Sequence, residues 1–268
     1  MGLKDWLGFG KKTPPASAAA PHSAARSADA LYKEAQKAMA HLARVCYVPR
    51  VMAGPGNANS SHFCGNAALK PGEAWPACGY CKEPMELFVQ LTDKGLPPHS
   101  GLPFGEGTLQ VFYCVNDGCD GGPDSWNGFG QNQLTRVLAR GTEVVEGARP
   151  PSCTFPTKVI VGWDAQTDYP NWEESETLGV KLDDPQSDAF YHHDDEVLPV
   201  TGEKLLGWPA WVQGVEYLDC PVCGERMKYI FQIDSERNIP YMFGDVGCGH
   251  ASICLKHPDR GGFQWACC

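Results

Sequence analysis

Two stretches of the sequence carry the same arrangement of cysteines. Residues 78–94 read CGYCKEPMELFVQLTDK, and residues 220–236 read CPVCGERMKYIFQIDSE. In both, a C-x-x-C pair is followed by Met four residues after the second Cys and by Gln five residues after that Met. A C-x-x-C turn offers two thiolates from one side, and four soft ligands complete the tetrahedron of structural zinc. We therefore predict that each stretch supplies half of a zinc site.

The first site is completed by two cysteines that follow the next predicted strand. The order Cys78, Cys81, Cys114 and Cys119 gives the spacing C-x2-C-x32-C-x4-C. An antiparallel strand pair brings two such turns together at one end. Four protein ligands leave no open position on zinc, so we predict a structural rather than a catalytic ion.

The second site has three cysteines and two candidates for its fourth ligand. Cys220 and Cys223 form the turn, and Cys254 ends the returning strand. His257 lies three residues after Cys254, and we predict that it completes a set of three cysteines and one histidine. His250 alternates onto the same strand face as Cys254 and is the rival ligand.

The remaining cysteines are not predicted to bind metal. In a reducing compartment, paired C-x-x-C units favour metal over disulfides, and the odd total of 13 Cys fits ligands plus spare thiols. Cys267 and Cys268 are candidates for a third metal or redox site, but adjacent cysteines rarely chelate one ion together. Four isolated cysteines are expected to be small buried hydrophobes: Cys46, Cys64, Cys153 and Cys248.

The pattern beyond residue 50 predicts a mainly β body with few helices (α+β). Short alternating runs such as MELFVQL, TLQVFYC and MKYIFQI are bounded by Gly and Pro. Gln90 and Gln232 recur within such runs, and we expect each to be satisfied by backbone groups of the other half. The predicted organisation is a flexible segment and linker (1–26), a helix capped by Ser27 (27–50), a first β half (51–153), an acidic connector (154–200) and a second β half (201–268).

The charge distribution restricts the class of partner. The formal net charge is −10, and residues 154–200 hold 11 Asp/Glu against two Lys. Phosphate backbones require positive charge, so we expect no nucleic acid and favour a basic or neutral protein partner. The alternative is an acidic surface that is simply solvated. No run approaches 18 apolar residues and no apolar leader is present, so we expect a cytoplasmic protein without a membrane span.

Residues 200–268 resemble the C-terminal part of the YwqG-like family of mainly bacterial, uncharacterised proteins. The resemblance rests on EKLLGWPAWVQG, CPVCGERMKYIFQIDS, YMFGDVGCGH and FQWACC, and on IVGWDAQTDYPNWEE in the middle of the chain. More distantly, C-x-x-C-x3-M and a returning strand ending in Cys are similar to the programmed cell death protein 2 family. The resemblance implies duplicated antiparallel β halves related by pseudo-two-fold symmetry, and an association with toxin–immunity or chaperone roles.

We therefore expect a non-enzymatic, zinc-stabilised protein-binding module, of chaperone-like or immunity type. The sequence lacks H-E-x-x-H, G-x-S-x-G, a Walker loop and a dinucleotide fingerprint. The alternative is a metal-dependent hydrolase that uses the acidic middle segment. Its candidate ligands are the run Tyr191-His192-His193-Asp194-Asp195-Glu196, joined across space by Asp164 and Asp168.

Overall fold

Within the described residues, three α-helices begin where the sequence provides caps. The computed structural model describes residues 26–119, 126–192 and 198–267. Helix α1 (Ala28–Met39) begins after Ser27, whose hydroxyl accepts a hydrogen bond from Ala30 N at 3.3 Å. Helices α2 (Trp172–Thr177) and α3 (Asp184–Tyr191) are capped by Asn171 and Asp183. No helix in these three ranges has the length and apolar character needed to cross a bilayer.

Ten strands of the described chain form one antiparallel sheet, with the order β12-β11-β10-β9-β1-β8-β2-β4-β5-β6. Strands β3 and β7 pair separately. The strands are β1 (Arg44–Ala53), β2 (His62–Phe63), β3 (Ala67–Leu69), β4 (Glu86–Thr92), β5 (Gly107–Tyr113), β6 (Gln133–Ala139), β7 (Val145–Gly147), β8 (Lys158–Asp168), β9 (Lys204–Leu206), β10 (Lys228–Asp234), β11 (Cys248–Ile253) and β12 (Gly261–Ala266).

The sheet curls until its two edges meet. Val137 N of β6 donates to Pro258 O at 3.3 Å, and Phe263 N of β12 donates to Gly128 O at 3.0 Å. The sheet is therefore nearly closed, and the exposed edges that would invite pairing with another chain are covered. The interior holds aromatic residues from both ends of the sheet, including Phe88 and Phe231, which are fully buried.

The predicted helix 27–50 is too long. Helix α1 ends at Met39, a 3-10 turn follows, and residues 44–53 form β1 instead. The segment RVCYVPRVMA is rich in β-branched residues, which fit a pleated sheet. Pro49 is tolerated because the pairing of β1 with β9 ends at Tyr47, so the proline lies where β1 has only β8 as a neighbour.

The predicted connector 154–200 is not a simple link. Its first part forms β8, which pairs with β1 over its whole length at the centre of the sheet. The other edge of β8 pairs with β2, whereas the other edge of β1 pairs with β9. The strands β1 and β8 therefore lie between the strands of the two predicted halves.

Local irregularities of the sheet recur 142 positions apart. The β4–β5 ladder shifts register between Leu87 and Val89, and the β10–β11 ladder shifts between Tyr229 and Phe231. A bulge of this kind bends a strand at a defined point. The two strand pairs therefore bend at the same place relative to their C-x-x-C turns.

The short strands beside them show the same correspondence. Cys64, which follows β2, has φ of 57°, and Leu206, 142 positions later, has φ of 62°. Left-handed backbone is uncommon for residues other than glycine and carries strain. Its recurrence at Cys64 and Leu206 extends the local likeness of the two segments beyond the cysteines.

The two repeated glutamines are buried and hydrogen-bonded, but within their own halves. Gln90 accepts from Ala68 N at 2.9 Å and donates to Ser60 O at 3.1 Å. The expectation that backbone groups of the other half satisfy the two glutamines is wrong. Each glutamine bonds to residues beside the short strand that pairs with its own strand, which is β2 for Gln90 and β9 for Gln232. Gln232 makes the same two bonds at 2.8 Å with Ala210 N and Gly202 O.

A buried carboxylate in β4 leads to a prediction about pH. Glu86 is 1% exposed; one of its oxygens accepts from Phe155 N, and the other has no hydrogen-bond partner within the described residues. Burial raises the pKa of Glu86. The native state therefore binds the carboxyl proton of Glu86 more tightly than the unfolded chain does. This difference stabilises the native state fully below the unfolded pKa of about 4.3, and the stabilisation is lost as the pH rises through the folded pKa.

We expect Glu86→Gln to raise the free energy of unfolding at pH 7 by about 1 kcal/mol, because a buried charge is removed. Urea unfolding of both proteins between pH 4 and pH 7 measures this, and the difference should shrink towards the acid end. A variant that is less stable at pH 7 would show that the ionised carboxylate is stabilising.

Candidate metal centres

The first four predicted ligands lie together at one end of the β4–β5 pair. Their sulfur atoms all fall within 4.8 Å of one another, and two are buried and two half-buried. Cys78 Sγ lies 3.8 Å from Cys119 Sγ, and Cys81 Sγ lies 3.7 Å from Cys114 Sγ. A disulfide would place two sulfurs about 2.05 Å apart, so these are separate thiols.

The sulfur spacing fits a tetrahedral ion. Zinc–sulfur bonds of about 2.3 Å place neighbouring ligands of a tetrahedron about 3.8 Å apart. The two distances given for the first group agree with that edge. The group therefore has both the chemistry and the spacing to hold a metal ion.

The second group forms at the corresponding end of the β10–β11 pair. Cys220, Cys223, Cys254 and His257 place one ligand atom each within 4.8 Å of one another. Cys223 Sγ lies 3.8 Å from Cys254 Sγ, and His257 Nδ1 lies 3.6 Å from Cys254 Sγ. A nitrogen ligand binds zinc at a shorter distance than sulfur, so the N–S edge should be near 3.6 Å. The second group also can hold a metal ion.

His250 lies away from this group, in the core. Its Nε2 is 3.9 Å from Cys248 Sγ, and its ring packs against Trp211 with centroids 4.8 Å apart. Burial lowers the pKa of His250 to about 3, and the nearby Lys204 acts in the same direction. The structure therefore brings His257, and not its rival, to the three cysteines.

Backbone donors point at the sulfurs of both turns. Tyr80 N lies 3.4 Å from Cys78 Sγ, and Val222 N lies 3.4 Å from Cys220 Sγ. For Cys220, burial is outweighed by N–H groups of Cys223 and Val222, which lower the pKa of the thiol to about 6. Since the thiolate is the form that binds metal, this environment favours a ligand.

The four isolated cysteines are buried, as expected for small core residues. Burial raises the pKa of Cys46 and of Cys153 to about 12, so both thiols stay protonated at neutral pH. Cys267 is half-buried near Gly244. Cys268 lies outside the described residues, so the expectation about the terminal pair stays a prediction.

Comparison with known families gives a match over most of the described chain. Residues 61–264 match the model of a family described as a domain of unknown function, DUF1963. The chain belongs to the DUF1963 family. The matched span contains both groups of metal-ligand candidates, while α1 and β1 precede it. The central strand β1 is thus a part of this protein's sheet that the family match does not cover.

A curated relative gives a short local match. The chain is 44% identical over 39 residues to "Uncharacterized protein YpfL" of Salmonella typhimurium. The aligned part covers 15% of this chain and 9% of the length of that protein. The match is confined to this short segment and implies no activity for the DUF1963 chain.

The acidic residues proposed for a hydrolase do not converge where they are described. Asp164 is exposed and lies 3.4 Å from Arg50, while Asp168 is fully buried and bonded to Lys204 at 2.7 Å. Four residues separate them along β8, or about 13 Å of extended strand. His192 ends α3. His193, Asp194, Asp195 and Glu196 lie outside the described residues.

Sequence reasoning missed an exposed tryptophan within the acidic segment. Trp172 opens α2 and is 57% exposed. It lines a depression of about 360 Å³ with Glu176, Asp184 and Tyr191. Asp188 lines an adjoining depression of about 430 Å³ that shares Trp172 and Asp184. The signal was present in DYPNWEES, where one large aromatic residue interrupts a polar run.

Proposed function

We propose that this DUF1963 protein is a non-enzymatic protein-binding module whose fold is held by two zinc ions. Its partner would be a basic protein segment that binds the acidic groove, defined as the surface lined by Trp172, Glu176, Asp184, Asp188 and Tyr191. A chaperone-like or immunity-type role fits such a module, because both act by covering part of another protein.

The ligand sets support zinc as the metal. A set of four cysteines and a set of three cysteines with one histidine are both typical of structural zinc, and four protein ligands leave no position for a substrate. Sulfur spacings of 3.7 and 3.8 Å match the edge of a zinc tetrahedron. The same features argue against a catalytic role for either ion.

We further propose that the two zinc-bearing halves are copies related by pseudo-two-fold symmetry. Three features recur 142 residues apart and support this duplication. They are the register shift of the strand pair, the left-handed residue at the short strand, and the hydrogen bonds of the buried glutamine. The likeness to the YwqG-like family and to the programmed cell death protein 2 family predicts the same arrangement.

The acidic groove carries the binding proposal. Exposed tryptophans at the centre of a surface are frequent anchors of protein interfaces. Glu176, Asp184 and Asp188 surround Trp172, and none of the three forms an ion pair with a cation in the described ranges. Unpaired carboxylates attract a basic partner at long range, and this attraction weakens with salt.

The test is capture of partners from an extract of the native host, followed by affinity measurement with each purified candidate. We expect Trp172→Ala to weaken binding by about 30-fold or more, as for an anchor residue. Asp184→Asn with Asp188→Asn should slow association and flatten its dependence on salt.

Two matched controls accompany these variants. Val161 is 55% exposed on β8 and Asp164 is an exposed acid outside the groove, so Val161→Ala and Asp164→Asn should bind like the wild type. If every captured protein binds the Trp172→Ala variant as well as the wild type, the groove is not the binding surface.

A further inference from the structure

A second concave surface lies on the other side of α2, beside the second metal group. The cleft has a volume of about 610 Å³, within the range of about 300–1,000 Å³ of small-molecule sites. The first residues of β1, the end of β9, the start of β10 and helix α2 line it. Its walls combine cationic and aromatic side chains: Arg44, Trp208, Tyr217, Arg226, Lys228 and Tyr229.

The three cations of the cleft are not neutralised by their surroundings. Across the described ranges, none of Arg44, Arg226 and Lys228 forms an ion pair. The guanidinium of Arg44 lies 3.2 Å from the ring centroid of Trp208, and that of Arg226 lies 4.8 Å from the ring centroid of Tyr217. Stacking fixes the position of a guanidinium and leaves its N–H groups able to donate.

Among the described residues, one carboxylate lines the cleft, and it is already engaged. Glu174 is buried, and its two oxygens accept from Tyr217 Oη at 2.5 Å and Trp211 Nε1 at 3.1 Å. The described lining has three cations and one carboxylate, a formal charge of +2, in a protein whose net charge is −10. This concentration of positive charge is therefore a local feature and not a consequence of composition.

The sheet does not need these cations for its structure. In the first half, the positions that match Arg226 and Lys228 are Pro84 and Glu86, 142 residues earlier. The same isolated bridge forms in both places, from Ala77 to Pro84 and from Asp219 to Arg226. The backbone thus forms equally well without positive charge at these positions.

Tyr229 also lines the cleft, but its hydroxyl is buried. The residue is 7% exposed, and its Oη has no hydrogen-bond partner within the described residues. A buried donor without a partner costs about 1–3 kcal/mol. Because this hydroxyl is not exposed to the cleft, the arginine and lysine donors carry the recognition of an anion.

We propose that this cleft binds a small phosphomonoester with an apolar organic body. A phosphomonoester carries a charge of about −1.5 to −2 at pH 7, which matches the formal charge of the cleft, and arginine donors suit its oxygens. Leu178, Leu206 and Met227 line the same cleft and would contact the organic body. This site is independent of the acidic groove and of the protein partner proposed for it.

The experiment uses the zinc-loaded full chain and calorimetric titration with phenyl phosphate, and with benzoate and phenol as the monoanionic and neutral comparators. We expect phenyl phosphate to bind at least tenfold more tightly than benzoate, and phenol not to bind. Arg226→Gln and Lys228→Gln should each weaken phenyl phosphate binding about tenfold or more. Arg50→Gln, a matched control on β1 outside the cleft, should bind like the wild type.

Tyr229→Phe is a second control. This variant removes a buried hydroxyl that has no partner in the described structure, so the free protein should be at least as stable and should bind phenyl phosphate like the wild type. The proposal is overturned if phenyl phosphate does not bind at about 10 mM, where a millimolar site would be occupied. It is also overturned if benzoate binds as tightly, or if Arg226→Gln and Lys228→Gln bind like Arg50→Gln.

Discussion

Replacing Cys78 or Cys220 with serine is expected to remove one of two metal ions and to lower the free energy of unfolding by more than about 4 kcal/mol. Losses of this size are exceptional for point mutations, and loss of a structural metal is among their few causes. Binding of structural zinc is coupled to folding, because the ligand set is assembled only in the native state. Chemical unfolding and metal analysis of each variant measure the two effects.

Each ligand variant has a matched control in its own half. Cys153 and Cys248 are buried thiols outside the metal groups, and each donates to a backbone carbonyl at 3.4 Å. A serine hydroxyl can make the same bond, so Cys153→Ser and Cys248→Ser should keep both metal ions and lose far less stability. Ligand variants no less stable than these controls would show that the ions do not hold the fold.

Breaking the ion pair between Asp168 and Lys204 is expected to cost about 3–5 kcal/mol, because both side chains are fully buried. The two partners are not equivalent. Asp168 also accepts from Tyr169 N, Val200 N and Trp208 N, at 2.8 to 3.0 Å. Lys204 Nζ has Asp168 as its acceptor at 2.7 Å.

This asymmetry orders the variants. Asp168→Asn leaves a buried ammonium without a carboxylate, whereas Lys204→Met leaves a carboxylate that still has three N–H donors. We expect Asp168→Asn to be the less stable of the two, and the double variant to recover part of its loss because no buried charge remains. Urea unfolding of the full double-mutant cycle measures the coupling. Additive single effects would mean that the pair does not interact energetically.

The metal groups could be predicted from the sequence because zinc ligation is a local and chemically narrow requirement. A C-x-x-C turn fixes two ligands within four residues, and the alternating strand after it sets where the chain returns. The choice of His257 over His250 followed from its spacing to Cys254. In the structure the chain turns after β11 and places His257 near the three sulfurs, while His250 stays on the strand.

The arrangement of the sheet could not be predicted in the same way. The sequence predicts that residues 44–50 continue the first helix, because Leu42 and Cys46 extend the spacing of its apolar face. Its pairing with β8 joins residues more than 100 positions apart, and no local pattern specifies such a contact. The buried pair of Asp168 and Lys204 was missed for the same reason, since its members lie on strands on either side of β1.

The cationic cleft could not be predicted from the residues that the two halves share. Those shared positions include Gln90 and Gln232. The cleft is formed where the halves differ, with Arg226 and Lys228 in place of Pro84 and Glu86. Residues whose charge or size differs between the two otherwise matched segments were the sequence feature that could have predicted the cleft.

The central claim is that two zinc ions hold the two halves of the sheet. Elemental analysis of the purified full chain, expressed with zinc available and freed of loosely bound metal by dialysis, tests it most directly. We expect close to two zinc equivalents per chain, and close to one for either Cys78→Ser or Cys220→Ser. A folded wild-type protein with one zinc equivalent or fewer would contradict it.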